Sequence, residues 1–283
     1  MQHTTGSFRS SHDGFEIFRQ SWLPDGPILR TVVIQHGFGE HSGRYGNVLE
    51  VFAGTGTAFY ALDSRGHGRT GGIRGHIDQF QIYVDDLADL ISLARQESGK
   101  EKVILLGHSL GGVIALQYAI QATHQEALQA LVVSSPGLMV QMDLAKSIKK
   151  AIGGALARFF PSAVVDANLE LKFLSHDSAV IEAYVKDPLV HGKVSFQMAT
   201  NLFNIGKVIY EKVAVLKVPI YIFHGGADGI VSSRGSELLF EKLTAADRTL
   251  KLYPDLYHET MNEASPAREQ VLADLKGWVL QRS

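Results

Sequence analysis

The chain has 283 residues, enough to bury a large core, and a single α/β domain with an insertion suits that length. A formal net charge of −2 gives no reason to expect a nucleic-acid partner, and the absence of cysteine excludes disulfides, thiolate metal sites and a cysteine nucleophile. A 45% hydrophobic and 20% charged composition is that of an ordinary globular protein.

The opening Met1–Ser7 is polar and lacks the basic patch and apolar core of a signal peptide. No apolar run approaches the roughly 18 residues of a membrane span, so a cytoplasmic protein is expected, at most peripheral to a membrane. Phe15–Trp22 alternates and reads as a half-exposed strand. Leu29–Gln35 is a second strand, ending in His36-Gly37-Phe38-Gly39, and Thr57–Leu62 a third, ending in Asp63-Ser64-Arg65-Gly66-His67-Gly68. Phe80–Gln96 has helical spacing, with Ile82, Leu87, Leu90, Ile91 and Ala94 on one face. Val103–Gly107 is a strand, Leu110–Gln121 a helix and Leu131–Ser135 another strand. Val218–Phe223 comes much later, followed by a helix near Ser236–Leu243, a last strand at Arg248–Tyr253 and a closing helix at Pro266–Gln281.

Continuously apolar strands alternating with helices imply a mostly parallel central sheet with helices on both faces. The gap from Ser135 to Val218 is too long for an ordinary crossover and reads as mainly helical, broken by Pro136, Pro161 and Pro188. The expected division is a core of 1–140 and 206–283, with a helical cap of 141–205 over the C-terminal edge of the sheet, where open α/β sheets bind ligands.

The most informative stretch is Val103 to Leu116. An apolar, β-branched run stops at Gly107-His108-Ser109-Leu110-Gly111, and a helical pattern starts at once. That strand, turn and helix lift the Ser109 hydroxyl out of the sheet as a candidate nucleophile, because glycines two residues either side let the turn close. A serine needs a base, normally histidine, and the histidine needs an acid to fix its tautomer. In α/β-hydrolases these follow in the order serine, acid, histidine, each on a loop after a strand. Of twelve histidines only His224 and His258 follow Val218, and His258 lies beyond the final strand. The order makes His258 the base and Asp228, in His224-Gly225-Gly226-Ala227-Asp228, the acid. Asp255 and Asp63 are the weaker alternatives, one local to His258 and the other out of order.

A developing oxyanion needs two aimed donors. The backbone N–H of Leu110 is one candidate and that of Phe38, in its glycine-flanked loop, the other. The remaining histidines lack the i, i+4 helical spacing of a zinc site, and no phosphate-binding glycine loop occurs. No metal or organic cofactor is called for by this chemistry.

Together these motifs resemble the monoacylglycerol lipase and lysophospholipase family of α/β-hydrolases, related to the serine aminopeptidases of type S33, over nearly the whole chain. The resemblance rests on His36 to Tyr45, on Asp63 to Gly68, on the serine turn, and on Ser134-Ser135-Pro136. It continues in Asp187-Pro188-Leu189-Val190, His224 to Asp228 and Tyr257-His258. It implies a serine carboxyl-ester hydrolase of small lipids, with Glu40, Arg44, His108 and Tyr184 around the polar head of the ester. Such lipases often carry a second histidine three residues after the catalytic one; this chain has Met261. The resemblance therefore implies cleavage of monoacylglycerol, with a lysophospholipase or a general carboxylesterase or thioesterase as the alternative. A non-catalytic binding protein is the remaining reading, since fold alone does not fix function. Finally, Leu144, Ile148, Ile152, Leu156 and Phe159-Phe160 recur at helical spacing among Lys146, Lys149, Lys150 and Arg158. A basic amphipathic helix of this kind suits transient contact with an anionic membrane surface.

Overall fold

The computed structural model describes residues 1–140 and 158–282. Eight strands form one sheet: β1 (Gln2–Arg9), β2 (Glu16–Leu23), β3 (Arg30–Gln35), β4 (Thr57–Leu62), β5 (Val103–His108), β6 (Leu128–Ser134), β9 (Ile220–Gly225) and β10 (Arg248–Tyr253). The two remaining strands, β7 (Val164–Asp166) and β8 (Lys193–Ser195), make a separate antiparallel ladder. The order across the large sheet is β1-β2-β4-β3-β5-β6-β9-β10. Every pairing from β4 to β10 is parallel, while β2 runs antiparallel to both its neighbours. This is the α/β-hydrolase fold. Among the described residues the helices are α1 (Gly46–Val51), α2 (Phe80–Ser98), α3 (Leu110–Ala119), α4 (Ala122–Gln125), α5 (Ser178–Lys186), α6 (Phe196–Lys212), α7 (Arg234–Lys242) and α8 (Ala267–Leu280).

The two-residue period of a strand divides the core into two layers. Val33, Tyr60 and Leu105 point into the cluster made with α2, α3 and α6. Their neighbours Val32, Ile34, Phe59, Ile104 and Leu106 point the other way, onto α1 and α8. α2 buries Leu87, Leu90, Ile91 and Ala94 and ends at Gly99 in the left-handed conformation. Each central strand is thus buried on both faces, which is why it reads as an unbroken apolar run.

β1 escaped the sequence reading. It is exposed along most of its length and pairs only with β2, so it needs no apolar alternation. The short α1 also gave no periodic signal. The region between β6 and β9 holds α5 and α6 as well as the β7–β8 ladder, so strand joins helix there. α6 runs through residue 205 and packs Met198, Ile205 and Ile209 into the main core. The basic amphipathic stretch lies mostly outside the described residues; its last members, Phe159 and Phe160, are 72% and 61% exposed.

The β4–α2 loop is tied down by Arg65. Its guanidinium makes paired hydrogen bonds to Asp86 on α2, at 2.7 and 2.9 Å, and further bonds to Asp13 at the β1–β2 turn. The hydrogen bonds from Arg65 bring the Asp13 carboxyl down to about 2. Asp86 is 1% exposed. Removing Arg65 would strand a buried carboxylate, which typically costs 3–5 kcal/mol. We expect Arg65→Met to lower stability by about 3 kcal/mol or more, read as a fall in the urea midpoint at unchanged slope. An unchanged midpoint would show that Asp86 is not held by this pair.

Candidate active site

The loops after β3 and β6 lie against the turn at Ser109. β5 delivers His108, the chain turns at Ser109, and α3 begins at Leu110. Ser109 has φ 52° and ψ −116°, a conformation that costs energy and persists only where the surroundings impose it. Here they do. A Cβ on Gly107 would strike the Gly111 carbonyl, and one on Gly111 would strike that of Gln35. The Ser109 N–H donates to Ser134 O at 2.9 Å, while Ser109 O accepts from Val113 and Gly137. Backbone bonds on both sides therefore fix the turn.

Asp228 and His258 come together from β9 and from the loop after β10. His258 Nδ1 lies 2.6 Å from Asp228 Oδ2, and Oδ1 of the same carboxylate accepts from the N–H groups of Ile230 and Val231. Both residues are buried. Burial opposes charge on each, but each other's presence prevails: Asp228 is held well below the ordinary carboxylate range and His258 above 6.5. Asp255 is exposed, and Asp63 is occupied by Ser42 and by the N–H of Arg69, so neither competes for His258. His258 is clamped through its backbone as well. Its carbonyl accepts from Ser135 Oγ at 2.9 Å, and its N–H donates to Phe173 O at 3.0 Å.

Among the described residues no hydrogen bond joins Ser109 Oγ to His258. What links them is His108, whose ring lies 4.9 Å from that of His258 and which directly precedes Ser109. His108 is itself buried, and burial together with nearby His258 lowers it to about 4, so it is neutral at pH 7.

The loop after β3 lies against this turn: a Cβ placed on Gly37 would be 3.2 Å from Ser109 Cβ. Glu40 holds the loop's shape, accepting from Gly37 N–H at 2.7 Å and from Tyr45 OH at 2.9 Å through the same oxygen. The Phe38 N–H has no hydrogen-bond partner among the described residues. Leu110, at the first position of α3, offers an N–H with no intrahelical acceptor. His191 N–H donates to Gly39 O at 2.9 Å, and the His191 ring bonds Gly66 O while lying edge-on to Phe38.

Glu40, Arg44, His108 and Tyr184 are brought together. Arg44 donates to Glu40 at 2.9 Å, and its guanidinium stacks 4.7 Å over the Tyr184 ring. Burial alone would raise the Glu40 carboxyl; Arg44 brings it to about 2. A residue missed in the sequence completes the group. Glu259 takes a two-pronged bond from Arg44, at 2.7 and 2.9 Å, across 215 positions of chain. Its only signal was adjacency to His258. A cavity of about 10 Å³, the volume that admits one water, is lined by Glu40, Arg44, Tyr45, His108, Glu259 and Met261.

A family model described as serine aminopeptidase, S33 (Hydrolase_4) matches residues 26–265. The chain is 35% identical to a monoacylglycerol lipase of Mycolicibacterium smegmatis over 97% of its own length and 98% of that protein. It is 32% identical to phospholipase YtpA of Bacillus subtilis, over 89% and 95% of the two chains. Among solved structures, the monoacylglycerol lipase of Paleococcus ferrophilus superposes with a TM-score of 0.85 at 31% identity, covering 94% of this chain and 99% of that one.

The burial of His36, His67 and His108 holds each below 6.5. Below that pH the unfolded chain binds protons that the folded chain refuses, so stability falls with pH until the folded groups titrate. Each such histidine contributes at most about 1.4 kcal/mol per pH unit. His258, raised instead, contributes stability that is fully present below 6.5 and offsets none of the further fall. Urea unfolding at pH 7 and pH 5 should give a clearly lower midpoint at pH 5; a higher one would mean that these rings are not buried neutral.

Proposed function

This chain belongs to the serine aminopeptidase S33 (Hydrolase_4) family and is a carboxylic ester hydrolase; we propose that it cleaves monoacylglycerol to fatty acid and glycerol through an acyl-serine on Ser109. The observation that carries this reading is the buried His258–Asp228 pair, 2.6 Å apart, set behind a serine held at φ 52°. In the proposed reaction His258 takes the Ser109 proton as Oγ attacks the ester carbonyl. The tetrahedral oxyanion accepts from the N–H groups of Phe38 and Leu110. Collapse breaks the ester C–O bond, and the alcohol leaves with the proton from His258. Water, giving its proton to His258, then attacks the acyl-serine and releases the acid. Asp228 fixes the His258 tautomer and stabilises its charged form throughout.

For the head group, Glu40 and Glu259 present carboxylate oxygens beside Tyr184 and His108, a setting that suits hydroxyl donors. The name of the Mycolicibacterium relative agrees with this. Met261 lines the same cavity as an apolar wall. The second reading is a lysophospholipase, and the Bacillus relative is named a phospholipase.

Fatty-acid release from monoacylglycerol and lysophosphatidylcholine with matched chains, side by side, decides between the two. Preference for monoacylglycerol is expected. Ser109→Ala should lose about 10⁴-fold or more in kcat with the fold intact, and retained turnover would reject Ser109. Because His258 must be neutral to accept a proton, and Asp228 holds it above 6.5, kcat/KM should fall as pH drops through a value above 6.5.

We also propose transient contact of the cap with anionic membranes. The exposure of Phe159 and Phe160, beside the basic stretch that precedes them, supports it. No helix among the described residues is long and apolar enough to cross a membrane. Co-sedimentation with anionic vesicles at low salt, reduced in Phe159→Ser/Phe160→Ser, is the expected result; no binding by the parent protein ends the idea.

A further inference from the structure

Asp228 serves two histidines. Its Oδ2 lies 2.6 Å from His258 Nδ1 and 3.0 Å from Nε2 of His224, the next-to-last residue of β9. His224 Nε2 is also 3.2 Å from Val231 O. A carboxylate and a carbonyl can only accept, so Nε2 carries the proton. His224 Nδ1 is then an acceptor, and Ser236 Oγ on α7 donates to it at 2.7 Å. His224, Asp228 and Ser236 have fully buried side chains or nearly so. The tautomer of His224 is thus fixed from both ends, and water does not compete for it.

We propose that His224 is a positioning residue that shares the charge of Asp228 between two imidazoles, and so limits how tightly Asp228 holds the protonated form of His258. This rests on the triad reading above but goes beyond it. Every donor added to a carboxylate disperses its charge and weakens its grip on the others. With His224 in place, Asp228 orients His258 without trapping its proton, which the leaving alcohol must receive. The other groups facing His258 are His108 from β5, Glu40 from the β3 loop with its partner Arg44, and Glu259 beside it. None of them touches His224, so a change at His224 reaches His258 through Asp228.

The test is the titration of His258, followed by NMR in ¹⁵N-histidine-labelled protein, in the parent and in His224→Leu and His224→Gln. Glutamine places an N–H₂ donor where Nε2 stood; leucine places none. The inference expects His224→Leu to raise the His258 midpoint by about one pH unit, the scale of one charge-assisted bond. The acid limb of kcat/KM should move with it. His224→Gln should stay close to the parent. A His224→Leu midpoint equal to the parent's, or a Gln variant shifted as far as Leu, overturns the inference. If His224→Leu does not fold, the parent spectrum still decides. In that spectrum His224 must carry a proton on Nε2, the nitrogen facing Asp228, and a bare Nε2 refutes the proposal. The NMR readout does not depend on turnover, whereas Ser109→Ala tests the triad itself, so the two failures are distinguishable.

Discussion

The turn at Ser109 admits no side chain at Gly107 or Gly111, and the rest of the site is arranged around that closeness. Because Gly111 has no Cβ, α3 rests directly on the Gln35 carbonyl at the end of β3. The loop after β3 is thereby brought against the turn at Ser109. Because Gly107 has none, the first turn of α3 folds back onto β5 and Ser109 is driven into a conformation an L-residue seldom adopts. The neighbouring strand end shows a similar distortion: Ser135, with φ 43°, turns its hydroxyl onto the His258 carbonyl. Two serines at positive φ, each at the end of one of two adjacent strands, therefore shape the turn at Ser109 and hold the loop of His258.

Buried charge is the second organising constraint. Asp228, Glu40, Asp63 and Asp86 all lie in the interior, where an unpaired carboxylate is costly, and each is surrounded by donors. The donors come from far along the chain: Arg44 spans Glu40 and Glu259, and Arg65 joins the β1–β2 turn to α2. The segment between β6 and β9 belongs to the same framework. Phe173 O and Leu174 O receive the N–H groups of His258 and Glu259, while His191 bonds Gly39. The segment between β6 and β9 is thus tied by backbone bonds to both the loop after β10 and the loop after β3.

How much of this was legible in the sequence follows from which features are local. The parallel sheet showed itself because strands buried on both faces must be apolar throughout. Ser109, Asp228 and His258 could be nominated because each follows a strand, and chain order then leaves few choices. Glu40, Arg44, His108 and Tyr184 came from resemblance, and no spacing rule would have paired Tyr184 with Arg44. Glu259 and the bond of His224 to Asp228 were not legible at all, since each depends on which side chains the fold brings into contact. β1 was hidden for the opposite reason. An exposed edge strand satisfies its backbone through one neighbour and leaves its side chains unconstrained.

The balance of charge beside Ser109 bears on which head group suits the site. Two buried carboxylates, Glu40 and Glu259, meet one guanidinium, that of Arg44, and His108 is neutral at pH 7. The group therefore carries one uncompensated negative charge in a poorly hydrated place. A phosphate entering it would meet the repulsion of both carboxylates, because Arg44 already holds them with its hydrogen-bonding edge and lays its face on Tyr184. A hydroxyl meets the reverse situation: it can donate to a carboxylate oxygen and brings no charge of its own to be desolvated. Met261 removes one polar partner from this wall but adds no positive charge, so it weakens discrimination among neutral heads without inviting an anionic one. On electrostatic grounds the space beside Glu40 suits an uncharged, hydroxyl-bearing head, in keeping with the proposed cleavage of monoacylglycerol.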